Sequence, residues 1–187
     1  MVAIDNTTLA LLLHPQAKPP EDPKTKRPLE KAQQRIEQLI SDLDADAERV
    51  VIPTPVLCEF LILAGKEGPL YLEKIQTAKT LLIRPFDERA AIELAAMELA
   101  DRRKGGKKGG SDAPYQKVKF DRQIVAVAKV NGAHTIYSDD DDVRKFAIKA
   151  GLKVVSTWEL PIPPSKTPLF DDLPEPDKDP ADGKKKS

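Results

Sequence analysis

Residues 120–146 read FDRQIVAVAKVNGAHTIYSDDDDVRKF, a pattern of helix, strand and helix that is interrupted by four consecutive acids. Small apolar residues recur at helical spacing until Asn131 and Gly132 end the first helix. The following run, AHTIYS, has the composition of a strand. Carboxylates about 4 Å apart repel each other by roughly 1 kcal/mol in water, and by more near a protein surface. The four acids therefore either spread into solvent or face a bound cation.

The rest of the chain repeats this alternation of strands and helices. Strands are predicted at MVAID (1–5), RVVIPTP (49–55), LLIRPF (81–86), AHTIYS (133–138) and LKVVS (152–156). Helical patterns lie between them, and Asp121 is predicted to start the helix that ends at Gly132. Such alternation is typical of a single α/β domain with a mostly parallel central sheet and helices on both faces. The proline-rich, charged residues 165–187 are predicted to be a disordered tail.

The composition argues against several classes of protein, among them membrane proteins and disulfide-stabilised proteins. The 187 residues carry 30 basic and 30 acidic side chains, so no overall charge draws the chain to nucleic acid or membrane. The single cysteine, Cys58, rules out an internal disulfide and is expected in the core. The sequence shows neither a signal segment nor an apolar run of about 20 residues, which predicts a soluble, cytoplasmic protein without a membrane partner.

Several acids are predicted to lie beyond the carboxyl ends of the strands, which is where α/β folds bind their ligands. Asp5 ends the first predicted strand, residues 139–142 follow the fourth, and Glu59 and Asp121 lie on helices expected to reach the same edge. Converging carboxylates are hard oxygen ligands that suit Mg²⁺ or Mn²⁺. With two histidines and one cysteine in the chain, a zinc site is not expected.

Four segments together resemble the PIN-domain nucleases, the family that includes VapC-type toxins. They are Asp5 after the first strand, PTPVLCEF (53–60), KFDRQIVAVAKVNG (119–132) and TIYSDDDDVRKFAIKAG (135–151). The resemblance covers residues 1–164 and implies a PIN-like domain over that range. The order of Asn6 and Thr7 is reversed relative to the usual family pattern, although both side chains can still form hydrogen bonds.

The resemblance also implies roles for individual residues. The metal-binding and catalytic acids would be Asp5, Glu59, Asp121 and Asp140, with Asp142 as a further metal-binding acid and Asn6 and Ser138 as supporting residues. Alignment within the acidic run is ambiguous by one residue, so Asp139 is an alternative to Asp140. In this reading Asp140 and Asp142 face the crevice, and Asp139 and Asp141 face out.

What the resemblance implies for function is metal-dependent hydrolysis of RNA phosphodiester bonds, using Mg²⁺ or Mn²⁺ and leaving 5′-phosphate and 3′-hydroxyl ends. It further implies an antitoxin or other inhibitory protein as a candidate partner, and a homodimer with the apolar helix PVLCEFLILAG (55–65) as a candidate surface. In residues 165–187, PLFDDL (168–173) is a candidate docking motif.

Basic residues that would contact a nucleic acid backbone cluster near Asp121. They are Arg102, Arg103, Lys104, Lys107, Lys108, Lys119 and Arg122. The glycine-rich segment RRKGGKKGG (102–110) would form a flexible basic arm, with a solvated loop as the competing interpretation.

The same residues are compatible with other roles and functions. Asp121 and the first of the four acids could simply cap helices, because aspartate is a favoured N-cap. A PIN-like fold could bind RNA or a protein without cutting, or the enzyme could be a DNA or structure-specific nuclease. A haloacid-dehalogenase-type phosphatase fits less well, since Thr7 stands where its second aspartate is needed.

Overall fold

The computed structural model describes residues 1–14, 16–103 and 106–163. Its centre is a five-stranded sheet of order β3-β2-β1-β4-β5 in which all neighbouring strands are parallel. The strands are β1 (Val2–Ile4), β2 (Val50–Pro53), β3 (Leu81–Arg84), β4 (Thr135–Tyr137) and β5 (Lys153–Val155). The helices are α1 (Asn6–Leu13), α2 (Ala32–Ala45), α3 (Thr54–Ala64), α4 (Gly68–Thr77), α5 (Glu88–Arg103), α6 (Tyr115–Val130) and α7 (Asp141–Lys149). The prediction of one α/β domain with a parallel sheet is confirmed.

Helices cover both faces of the sheet because the central strands are apolar on both sides. Successive side chains of a strand point to opposite faces. Val2 and Ile4 of β1 pack in a core with residues of α1 to α4, whereas Ala3 packs in a second core with α5, α6 and α7. All three residues of β1 are buried, as expected for a central parallel strand.

The order of the strands creates a crevice at one point of the sheet. From β1 the chain builds outward through β2 and β3, and it then returns to place β4 on the other side of β1. The connections that follow β1 and β4 therefore leave the sheet in opposite directions. Ligands of open α/β folds bind at such a switch point, beyond the carboxyl ends of the two strands.

Two helices differ from the sequence prediction. Helix α6 begins at Tyr115, directly after Pro114, so Asp121 lies in its second turn and does not open the helix. Val118 is fully buried, and its spacing from Val125 extends the apolar face toward the amino end. Asp121 therefore cannot be an N-cap, which removes that competing interpretation. Helix α4, which was not predicted, buries Tyr71 and Ile75 one turn apart.

The expectation that Cys58 lies in the core is wrong. Helix α3 turns Val56, Phe60 and Ala64 toward the sheet at a spacing of four residues. Cys58 lies on the opposite side of the helix and is exposed. An almost wholly apolar helix can hide only one face, so composition alone did not show which side Cys58 occupies.

Arg122 is fully buried, and this corrects its prediction as a nucleic-acid contact. Its guanidinium donates to the Asp101 carboxylate at 2.5 Å and to the Lys107 carbonyl at 3.0 Å, and it lies over the Phe146 ring. Lys149 provides a second cation for Asp101, at 3.0 Å. A buried arginine needs such partners, because an unpaired charge in the interior is costly.

Arg122 and two lysines restrain the described part of the glycine-rich loop, residues 106–111, which is less free than predicted. Gly109 has a left-handed backbone (φ +61°), and a side chain there would come within 2.8 Å of the Arg122 guanidinium. Lys149 and Lys145 donate to the carbonyls of Gly109 and Gly110. Residues 106–111 are thus fastened to α6 and α7, and they do not form a loose arm.

The predicted disordered tail and its PLFDDL motif lie outside the described residues. Within the described ranges, no helix combines the length and apolar character needed to cross a membrane.

We expect Arg122→Met to lower the free energy of unfolding by about 3 kcal/mol, because Asp101 would keep a buried charge without its main partner. Urea unfolding followed by circular dichroism measures this change. Arg89→Met is the control, since Arg89 is exposed and pairs with Asp87 at the surface, where a lost ion pair costs under about 1 kcal/mol. Equal losses in the two variants would contradict the buried network.

Candidate active site

A cleft of about 430 Å³ opens at the carboxyl ends of β1 and β4. All four acids that were predicted to be catalytic line this cleft. The lining residues are Asp5, Asn6, Thr7, Glu59, Gln116, Lys117, Phe120, Asp121, Ile124, Asp140 and Val143. Acids from four separate segments of the sequence therefore meet at the switch point of the sheet.

Asp5 is the most buried of these acids, with 3% of its surface exposed. It caps α1 by accepting a hydrogen bond from the Thr8 backbone N–H at 2.8 Å, and it accepts a second from the Ser138 hydroxyl at 2.5 Å. Burial raises the pKa of Asp5 from 3.8 to about 6, although the hydrogen bonds from Ser138 and Thr8 act in the opposite direction. The carboxylate is thus held in place but poorly solvated.

Ser138 links the first and last of the four cleft acids. Its hydroxyl donates to Asp5 and accepts a hydrogen bond from the Asp140 backbone N–H at 3.1 Å. Its own carbonyl accepts a hydrogen bond from Ser156 after β5. Because Ser138 is 1% exposed, these contacts fix the turn that leads from β4 into α7.

The four consecutive acids have four different environments. Asp140 caps α7 by accepting from the backbone N–H groups of Asp142 and Val143, and it lines the cleft. Asp139 instead accepts hydrogen bonds from the Thr157 backbone and hydroxyl, at 2.8 and 2.6 Å. The geometry thus favours Asp140 over Asp139 as the cleft acid.

The expectation that Asp139 faces solvent is wrong, since Thr157 holds it, whereas Asp141 is exposed as expected. Asp142 does not line the cleft itself. One of its oxygens accepts a hydrogen bond from the Ser111 hydroxyl at 2.8 Å, which connects the glycine-rich loop to the acids.

Asp121, Asp140 and Asp142 form a compact group in which one oxygen of each lies within 4.8 Å of the others. Lys117 reaches into this group from one turn earlier on α6. Its ammonium lies 2.9 Å from an oxygen of Asp121, 2.9 Å from one of Asp140 and 3.8 Å from one of Asp142. The acid group thus contains a cation that the chain itself supplies.

The pKa shifts in the group follow from burial and from Lys117. Burial raises the pKa of Asp121, and the Lys117 hydrogen bond opposes that rise only in part. At Asp140, burial also acts to raise the pKa, but the hydrogen bond from Lys117 and the helix N–H groups lower it overall. Partial burial, followed by the negative charge of Asp121, raises the pKa of Glu59 on α3.

The donor set of the cleft fits a hard divalent cation. It offers carboxylate oxygens and the Asn6 amide, which are ligands that Mg²⁺ and Mn²⁺ accept. The Asn6 Oδ1 atom is buried and has no hydrogen-bond partner among the described residues. A buried polar atom without a partner is rare and calls for an explanation, and an ion with its hydration shell supplies one.

Sequence reasoning did not foresee that Lys117 lies among the acids. Its spacing of four from Asp121 was the available signal, since such pairs meet on one helix face. The contacts of Ser111 with Asp142 and of Thr157 with Asp139 join residues 31 and 18 positions apart, and local sequence offers no signal for them.

The predicted nucleic-acid contacts that the structure describes lie outside the cleft lining. Arg102, Arg103, Lys107 and Lys119 are exposed, Lys108 is half-buried, and Lys104 lies outside the described residues. Of the exposed basic residues that were predicted to contact nucleic acid, Lys119 is the nearest to Asp121 in sequence, two residues before it on α6. The four exposed side chains are available to a ligand in solution.

The family comparison agrees with this picture. The PIN domain model matches residues 28–149, a range that contains Glu59, Asp121, Asp140 and Asp142 and begins after Asp5. No curated protein matches the chain by sequence.

Solved structures share the fold at low sequence identity. VapBC2 from Rickettsia felis, crystallised with a DNA fragment from its promoter, has a chain that is 15% identical, with a TM-score of 0.51 and coverage of 83% of this chain and 98% of that one. DNA-bound VapBC from Salmonella typhimurium gives 17% identity and a TM-score of 0.51, with coverage of 84% and 99%. At such identities the likeness establishes the fold alone.

We expect Asp5→Asn to stabilise the metal-free protein at neutral pH. A folded-state pKa near 6 means that ionised Asp5 destabilises the fold above about pH 6 and has no effect below about pH 4. The rise from 3.8 corresponds to about 3 kcal/mol as an upper value, and asparagine keeps the capping role.

The measurement is the free energy of unfolding in chelator from pH 4 to 8. The gain of Asp5→Asn should vanish as the pH falls through the range from 6 to 4, and exposed Asp141→Asn should show no comparable trend. A gain that does not depend on pH would contradict the raised pKa.

Proposed function

This chain belongs to the PIN-domain family, and from that premise we propose that it is a Mg²⁺- or Mn²⁺-dependent endoribonuclease. The observation that supports the proposal is the convergence of Asp5, Glu59, Asp121 and Asp140 on one cleft at the switch point of the sheet. Four carboxylates in that place repel one another, and the binding of a divalent cation offsets the repulsion.

Each cleft residue would have a defined part in the reaction. Asp121 and Asp140 would hold the ion with Asp5, while Glu59 and Asp142 complete the negative surroundings. When bound, the ion would activate a water molecule and stabilise the charge that develops on the leaving oxygen. Water adds to phosphorus as the bond to the 3′ oxygen breaks, which leaves a 5′-phosphate and a 3′-hydroxyl.

Supporting residues would keep this geometry fixed before substrate arrives. The Ser138 hydroxyl orients Asp5 and, through its contact with the Asp140 backbone, the start of α7. The unpaired Asn6 Oδ1 would accept a hydrogen bond from a water molecule in the cleft. Exposed Lys119 and Lys107 would attract the phosphate backbone from outside the cleft.

An inhibitory partner protein is part of the proposal. Two solved structures with the same fold are VapBC assemblies, and the analogy suggests a small antitoxin that covers the acidic cleft. An exposed cleft rich in carboxylates would favour a partner segment that carries an arginine or lysine.

Labelled single-stranded RNA should be cut in Mg²⁺ or Mn²⁺ and left intact in chelator. We expect Asp121→Asn, alone or combined with Asp5→Asn, to reduce the rate by at least about a hundredfold, since each removes a charged ligand. Exposed Asp141→Asn should keep the wild-type rate, because Asp141 lies outside the cleft.

Parallel reactions with single- and double-stranded DNA separate the competing functions. Cutting of DNA but not RNA would favour a DNA or structure-specific nuclease. Binding without cutting, unaffected by metal, would contradict the enzyme and favour a binding module.

We also propose that two copies of the chain associate through the outer face of α3 and α4. Ile62, Leu63 and Leu70 are 76%, 54% and 54% exposed there, which forms an apolar surface of the kind that marks interfaces. Sedimentation equilibrium should show a dimer, and Ile62→Lys should give a monomer. Ile92→Lys on α5, where Ile92 is 64% exposed, is the control and should leave the dimer intact. A wild-type monomer would contradict the proposal.

A further inference from the structure

Lys117 contacts two of the carboxylates that would hold the divalent ion, those of Asp121 and Asp140. Its ammonium lies 2.9 Å from both the Asp121 Oδ2 and the Asp140 Oδ2 atoms, and 3.8 Å from the Asp142 Oδ2 atom. These acids form the compact group whose oxygens lie within 4.8 Å of one another. The ammonium is therefore a member of the group and not a neighbour of it.

An ion and this ammonium cannot occupy the group together. Mg²⁺ binds oxygen at roughly 2.0 to 2.1 Å, so an ion bound to Asp121 and Asp140 would fill the space between their oxygens. The ammonium already spans that space at hydrogen-bond distance from both. Two positive charges at such a short separation would also repel each other strongly.

The Lys117 side chain can move out of the acid group, because it is long and partly exposed. It is 44% exposed at the surface of α6, and its flexible stem can carry the charge into solvent. By contrast, Asp121 is 6% exposed and fixed on the same helix. The acids stay in place while the cation between them can exchange.

We infer that Lys117 is a built-in counter-ion that holds the acid group together without metal, and that a divalent cation binds by displacing it. The inference rests on the proposed metal site. It assigns Lys117 a positioning role in which the chain's own charge competes with the ion and so sets the metal concentration at which the site fills.

The test uses the full-length protein and Mn²⁺ as the probe, with isothermal titration calorimetry and thermal unfolding as readouts. Lys117→Met should bind Mn²⁺ about tenfold more tightly, because the ion no longer has to break the ion pairs. In chelator the same variant should melt at a lower temperature than wild type, since the acids lose their cation, and Mn²⁺ should reverse this loss. Lys117→Arg should retain the competition.

Lys129→Met is the matched control. Lys129 is on the same helix, is 39% exposed and pairs with Glu93 at 2.7 Å, far along α6 from the acids. Its replacement removes one similar ion pair and should leave the Mn²⁺ affinity unchanged.

The outcomes distinguish this inference from the proposed function. If wild type binds Mn²⁺ and Lys117→Met binds it equally or more weakly, the counter-ion role is overturned and the nuclease proposal stands. If neither protein binds Mn²⁺, both the counter-ion role and the metal site are overturned.

Discussion

The cleft depends on one pairing, that of β4 with β1. Ile4 lies opposite Tyr137 in the register, so the residues that follow, Asp5 and Ser138, leave neighbouring strands side by side. The hydroxyl of Ser138 then bridges to Asp5 and to the start of α7, which brings Asp140 to the same edge. A shift of register by one residue would turn these side chains to the other face of the sheet.

The concentration of negative charge is sustained because each acid is stabilised in a different way. Helix N–H groups bind Asp140, the Lys117 ammonium binds Asp121 and Asp140, and the Ser111 hydroxyl binds Asp142. Asp5 accepts hydrogen bonds from Ser138 and Thr8, but its burial outweighs them and raises its pKa to about 6. A chain with no net charge can therefore carry a strongly acidic cleft, since nearby hydrogen-bond donors and the Lys117 ammonium stabilise the carboxylates.

Site residues whose position depends only on their local sequence could be predicted. Asp5 and the acidic run 139–142 follow predicted strands, and Glu59 could be recognised because it is an acid within an otherwise apolar helical segment. The sequence prediction placed the start of α6 several residues too late. The residues before Phe120 are mostly polar and charged, so the pattern did not indicate that Val118 among them is buried.

Contacts between distant segments were beyond sequence reasoning. The burial of Arg122 depends on Asp101 and Phe146, which approach only after α5 and α7 have packed on α6. Likewise, Thr157 draws Asp139 away from the cleft although Asp139 and Asp140 are adjacent in sequence. The choice between those two acids is made by tertiary packing, and the pattern of the acids alone left it open.

The long sequence separation across the cleft has a consequence during synthesis. The bond from Ser138 to Asp5 joins residues 133 positions apart, and Asp121 and Asp140 also come late in the chain. A growing polypeptide that ends before β4 contains Asp5 and Glu59 but neither the bridging serine nor the last acid. Since β4 and β5 must emerge from the ribosome before the sheet can close, the cleft cannot assemble while the nascent chain lacks residues 135–155. A nascent chain that stops before β4 therefore presents no complete acidic cleft to the translation machinery.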